Sequence, residues 1–112
     1  MKKTLTFKRY EIYYASLDPT IGREIQKTRP VVIVSPNQMN KYSDTVVVCP
    51  LTTKLHPRWR HRIQITCADT PAEIAVDQIR TVSKQRLWQK IDDLPPEKAA
   101  ELRHVITHMY GE

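Results

Sequence analysis

Two stretches of the chain are apolar without a break, and they frame the reading. "PVVIVSP" and "TVVVCPL", Thr45 to Leu51, are short runs of β-branched residues bounded by turn formers. Such runs predict strands buried on both faces, and therefore central in a sheet. Pro30 lacks an N–H, which suits the first residue of a strand, and it pushes Arg29 into an extended conformation. "RYEIYYASL", Arg9 to Leu17, is rich in aromatic and branched residues and predicts a first strand. Between the first two strands lies a long polar loop, "DPTIGREIQKT", Asp18 to Thr28. Loops of this length in compact domains are commonly functional or mobile.

Further along, the pattern changes. "NQMNKYSD" predicts a connection with one turn of helix. "RHRIQITC" alternates: His61, Ile63, Ile65 and Cys67 on one face, Arg60, Arg62, Gln64 and Thr66 on the other. That is a half-exposed strand with a basic outer face. After a turn at "ADTPA", a strand from Glu73 to Gln78 loses its apolar parity before Ile79. A bulge or bend near Asp77 and Gln78 follows, then a short strand to Val82 and a helical turn at "KQRL". One clear helix closes the chain, from Pro96 to Met109, with Leu102, Val105, Ile106 and Met109 on one stripe. Pro95-Pro96 and Glu97 suit its start and Gly111 its end, and Asp92-Asp93 also read as helix-start residues. Short strands with one terminal helix predict a small, strongly curved antiparallel sheet or partly open barrel.

Composition narrows the class. With 112 residues, 40% apolar and 27% charged, one folded domain over residues 1–112 is expected. "MKKTLTFKRYE" has lysines but no apolar segment behind them, and the apolar runs are far short of a membrane span, so a cytoplasmic protein without a membrane partner is expected. Cys49 and Cys67 sit within apolar patterns and are expected to be reduced. The net charge of +6 favours an anionic partner without choosing which.

Candidate chemistry is thin by elimination. His56 and His61, with Cys49 and Cys67 far to either side, match no zinc spacing, and no metal or other cofactor is expected. There is no phosphate-binding loop, dinucleotide fingerprint or nucleophile elbow. "KLHPRWRHR", Lys54 to Arg62, interleaves Trp59 with cations. That mixture suits single-stranded RNA, with cations along phosphates and a base stacked on the aromatic; a solvated loop with Trp59 packed on the barrel accounts for it equally well. Asp77, at the parity break beside Gln78 and near Arg80, is a candidate for a buried ion pair, a proton acceptor or a base-reading acceptor.

"YEIYYASLDPTIGREIQKTRPVVIVSPNQMN", "TVVVCPLTT" and "VDQIRTVSKQRL" resemble the three blocks of the MazF/PemK (Kid) toxins, bacterial mRNA endoribonucleases of toxin–antitoxin pairs. The resemblance runs from Arg9 to Leu87, and "PPEKAAELRHVITHMYG" fits the family's C-terminal helix. It implies an SH3-like antiparallel barrel and metal-independent cleavage of mRNA, in which the 2′-hydroxyl attacks its own phosphodiester to leave a 2′,3′-cyclic phosphate and a 5′-hydroxyl. It implies Arg29 and Thr52 as catalytic residues, with Asp77 contributing to cleavage or substrate binding. His56 ranks below Asp77 as a base. Glu24, Thr53, Lys54, His56, Arg58, Trp59, Arg60, Arg62, Gln78 and Arg80 are the implied RNA contacts. The Asp18–Thr28 loop would be a lid beside the site, displaced or ordered by an acidic antitoxin, and the active species a homodimer. Family members commonly carry glycine between the arginine and the acid that open strand one; here Tyr10 stands there. The rival reading is a barrel of the same shape without enzymatic activity, binding a protein target such as DNA gyrase, or an inactive RNA-binding module.

Overall fold

The computed structural model describes residues 6–17 and 28–111. Seven strands form one curled antiparallel sheet: β1 (Glu11–Ser16), β2 (Thr28–Ile33), β3 (Thr45–Thr52), β4 (Arg62–Cys67), β5 (Thr70–Ala75), β6 (Arg80–Ser83) and β7 (Leu87–Asp93). A short helix α1 (Asn37–Tyr42) links β2 to β3, and α2 (Pro96–Tyr110) ends the fold. The strand order is β4-β5-β3-β2-β1-β7, with β6 beside β3.

The curl follows from β3, which changes partners along its length. Its first half pairs with β6, its middle with β2, and Leu51 and Thr52 pair with β5. β5 and β6 are separated by a 3₁₀ turn over Val76–Gln78. The parity break before Ile79 therefore marks a real bend, the point where the chain crosses from one part of the curled sheet to the next. β2 and β3 are central, as their unbroken apolar runs require. Val32, Cys49 and Leu51 enter one buried cluster with Ile12, Ile63, Ile74 and Leu102. Val31, Ile33, Val46 and Val48 enter a second with Phe7, Tyr13, Val82 and Leu87. α2 covers the first cluster with Ala99 and Leu102 buried and Val105, Ile106 and Met109 packed against it. Cys49 and Cys67 are free thiols inside that cluster, and burial pushes the Cys49 thiol up to about 12.

Three features depart from the expectations of the sequence. The β4–β5 turn is shorter than "ADTPA": it is the two residues Ala68 and Asp69, both at positive φ (49° and 67°). Two-residue hairpins favour this backbone because its twist matches the strands. The strand after it consequently begins at Thr70. The helical turn expected at "KQRL" stops at Arg86, and Leu87–Asp93, for which the pattern predicts no strand, is one; Asp92 and Asp93 end it instead of starting the helix. Asp92 Oδ2 accepts from the Ala68 amide at 2.9 Å, and Asp93 pairs with Lys90 at 2.9 Å. Thirdly, Tyr10 occupies the left-handed region at φ 74°, a conformation that usually falls to glycine. Its backbone is held by N–H donation to Ile33 O at 2.7 Å and by acceptance from the Leu94 N–H at 2.9 Å.

Candidate functional site

Backbone register assembles the site. Thr52 pairs with Glu73, and Glu73 pairs with Gln64. The β2–β3 ladder ends at Val31↔Pro50, and Arg29 and Thr52 each stand two residues beyond that last pair, at the same end of the two strands. Thr52, Glu73 and Gln64 thus form one row across three strands, with Arg29 at the same end of the neighbouring β2. Directly opposed residues in antiparallel strands share a face. It is the face opposite Ile63, Ile65 and Ile74, the side that the alternation in "RHRIQITC" marks as polar.

Arg29 is the second residue of β2, half-buried, and opposite Ala15 of β1. Among the described residues its side chain makes no hydrogen bond or ion pair. Thr52 ends β3, and its hydroxyl oxygen accepts from the Lys54 amide at 3.1 Å. That bond uses a lone pair and leaves the hydroxyl proton available to an acceptor.

Asp77 sits in the middle of the 3₁₀ turn. Its carboxylate accepts from Arg62 Nε at 2.8 Å and from Nη2 at 3.4 Å. These bonds hold its carboxyl below the usual carboxylate range. A carboxylate so held is a weaker proton acceptor than a free one.

Arg62 departs from the expectation of a groove cation. Its side chain is 6% exposed, and its Nη1 pairs with Glu73 Oε2 at 2.5 Å. Glu73 is wholly buried. It also accepts from Gln64 Nε2 at 2.7 Å and from the His56 backbone N–H at 2.6 Å. Burial alone would raise its pKa, but the bonds from Gln64, His56 and Arg62 together outweigh burial and leave it lowered. The sequence pattern gives Glu73 no role beyond opening a strand. Its signal lies in parity: once the turn is two residues long, Glu73 falls on the same face as Arg62 and Gln64.

The loop joining β3 to β4 lies over this row. Trp59 donates its amide to His56 O at 3.0 Å, closing a turn around Pro57 and Arg58. The His56 and Trp59 rings stack at 3.9 Å, 8° from parallel, and the Arg62 guanidinium carbon lies 4.6 Å from the indole centroid. Trp59 therefore presents a partly covered ring, although half of the residue remains exposed. Thr53, Lys54, Arg58 and Arg60 are exposed around it, as are Gln78 at the end of the 3₁₀ turn and Arg80 beyond it; Arg80 is also engaged in a contact of its own. Glu24 lies outside the described residues, as does the expected lid Asp18–Thr28 except for Thr28, which opens β2.

A family model described as "PemK-like, MazF-like toxin of type II toxin-antitoxin system" matches residues 8–110. The chain is 34% identical over 109 residues to a protein of Staphylococcus saprophyticus named Endoribonuclease MazF, an alignment covering 93% of this chain and 91% of the relative. Its fold is similar to a crystal structure of MazE-MazF from Deinococcus radiodurans, with a TM-score of 0.82, 17% identity and coverage of 96% and 98% of the two chains. It is also similar to an endoribonuclease in complex with its cognate antitoxin from a mycobacterial species, with a TM-score of 0.75, 20% identity and 96% of each chain covered.

Proposed function

The chain belongs to the PemK/MazF family of toxins from type II toxin–antitoxin systems, and on that premise we propose that it is an endoribonuclease cleaving single-stranded mRNA at specific sequences. The observation that carries this reading is the shared end of β2 and β3, where Arg29 and Thr52 each lie two residues past the last pair of the ladder. It puts Arg29, half-buried and without a side-chain partner among the described residues, at the same strand end as a hydroxyl whose hydrogen is free to make a hydrogen bond.

In the proposed mechanism the 2′-hydroxyl attacks its own phosphodiester without a metal ion. The 2′-hydroxyl gives up its proton to water, the bond to the 5′-oxygen breaks and that oxygen takes a proton from water, leaving a 2′,3′-cyclic phosphate and a 5′-hydroxyl. Negative charge grows on the phosphoryl oxygens, and Arg29 can hold two of them bidentately. A guanidinium titrates too high to exchange protons readily, so Arg29 stabilises charge rather than moving protons. Thr52 donates to a phosphoryl oxygen or orients the 2′-hydroxyl. Asp77, anchored by Arg62, orients the 2′-hydroxyl or accepts from a base N–H in preference to acting as the base. Lys54, Arg58 and Arg60 track the RNA backbone. We further propose that the enzyme works as a cytoplasmic homodimer and that an acidic antitoxin silences it by covering this basic surface. Among the described residues, no helix is long and apolar enough to cross a membrane.

The test is incubation of the purified protein with a long RNA in EDTA, followed by mapping of the ends. Cyclic phosphate and 5′-hydroxyl ends are expected. Intact RNA, or 5′-phosphate ends, would sink the mechanism.

A further inference from the structure

Glu73 is a carboxylate in the interior of a strand, and its partners come from two different places. Arg62 and Gln64 belong to the neighbouring strand β4. The His56 amide belongs to the loop, seventeen residues away in sequence, and bonds at 2.6 Å. A hairpin does not need such a group. Apolar residues of similar volume stabilise a sheet as well as a buried ion pair does. What an apolar residue at this position could not do is receive the loop.

The connection has a definite consequence for Thr52. Glu73 fixes this residue by ladder pairing on one side and fixes His56, four residues on, through its carboxylate. The segment that carries the Thr52 hydroxyl and the exposed Lys54 is therefore held at both ends by one residue. Through Arg62 the same carboxylate reaches the Trp59 ring, and through the stacked rings it reaches His56 again.

From this we infer that Glu73 is a positioning residue for RNA cleavage: its buried carboxylate fixes the Thr52–His56 segment and the Trp59 stack in the shape that the RNA phosphate meets. This rests on the endoribonuclease reading of the same site. Glu73 touches neither RNA nor the reacting atoms; it acts through Thr52 and the loop. A preformed loop spares the ordering cost at binding and keeps the reacting groups aligned, and displacements of about 1 Å can cost a hundredfold in rate.

The test uses the full chain and two variants. Glu73→Gln keeps the shape and one acceptor but removes the charge. The pair Glu73→Gln with Arg62→Met also removes the partner cation, so neither half of the Arg62–Glu73 pair is left unmatched. The first readout is hydrogen exchange at the His56 amide. It is expected to quicken about tenfold or more in both variants, while β4 and β5 amides in the double variant keep their protection. The second is cleavage of an RNA substrate, where kcat is expected to fall about tenfold to a hundredfold in both variants, with the double variant still folding cooperatively. Unchanged His56 exchange overturns the inference. So does wild-type kcat in a variant whose His56 amide has loosened. A wild-type protein that leaves RNA intact overturns the endoribonuclease reading and the catalytic half of this inference with it; the exchange measurement then still decides whether Glu73 holds the loop.

Discussion

Arg29 and Arg62 stand on the same face of the same sheet, near the ends of their strands, and they are in opposite electrostatic states. Arg62 is buried, bonded to Glu73 and Asp77, and set against an indole. Arg29 is half-buried and, among the described residues, lacks a side-chain partner. One guanidinium has its anions already; the other has room for one. A count of cations in "KLHPRWRHR" cannot separate these cases. Burying an arginine requires matched acceptors, and Arg62 has two carboxylates. A cation meant for a phosphate must keep its donors open until the phosphate arrives.

The comparison breaks most visibly in stability. Arg62→Ala leaves Glu73 charged, buried and without its cation, and is expected to cost about 3–5 kcal/mol in urea denaturation. Glu73→Gln in the same chain should recover much of that. Acid acts on the same bonds. Glu73 and Asp77 both titrate below their ordinary values in the folded protein. Their contribution is therefore present above the unfolded carboxylate range near about 4 and lost as pH falls through the lower folded values. A pH series of melting temperatures should fall on the acid side, and Glu73→Gln with Arg62→Met should flatten that fall.

Arg29→Ala is the inverse experiment. It is expected to lower cleavage by a hundredfold or more, about 3 kcal/mol of transition-state stabilisation, while changing the melting temperature little. Arg29→Lys should recover only part of the loss, because an ammonium cannot offer the paired donors. A large stability loss with unchanged cleavage would place Arg29 beside Arg62 as a structural residue.

Asp77→Asn sharpens the comparison from the carboxylate side. The pair with Arg62 is partly exposed, so about 1 kcal/mol or less of stability is expected to go, with less than tenfold loss of cleavage. A loss equal to that of Arg29→Ala would make Asp77 the proton acceptor after all. The smallest effect separates the cations of the loop. In RNA-binding isotherms at several salt concentrations, Arg60→Gln should reduce the salt slope by about 0.7, the change expected when one fewer phosphate is neutralised. The double variant Glu73→Gln with Arg62→Met should keep the wild-type slope, since in the wild-type protein Arg62 already has its anions.

Most of the scaffold was legible. The double-faced strands β2 and β3, the alternation of β4, the bend at Asp77 and Gln78 and the stripe of α2 each follow from local pattern. β7 was not, for a physical reason. Among the described residues it is an edge strand paired with β1 alone, through two irregularities, so its apolar positions do not alternate. Of Leu87–Asp93 only Leu87 is buried. Arg62 was placed on the correct face, but the loop that folds over that face, and the acid waiting beneath it, depend on tertiary contacts. Glu73 needed the register of the hairpin, which depends on Ala68 and Asp69 accepting a left-handed backbone. Neither is a residue that announces such a turn as glycine would.

Cys49 and Cys67, buried as they are, have a practical consequence. Only a thiolate attacks alkylating reagents at a useful rate. Cys49 is wholly buried with its thiol pushed up to about 12, and burial raises Cys67 as well. Both should stay silent to maleimide in the native protein. A single cysteine introduced at the exposed Asp69, on the hairpin tip, should then take a fluorophore selectively without either natural thiol being removed, and unfolding in urea should make all three reactive.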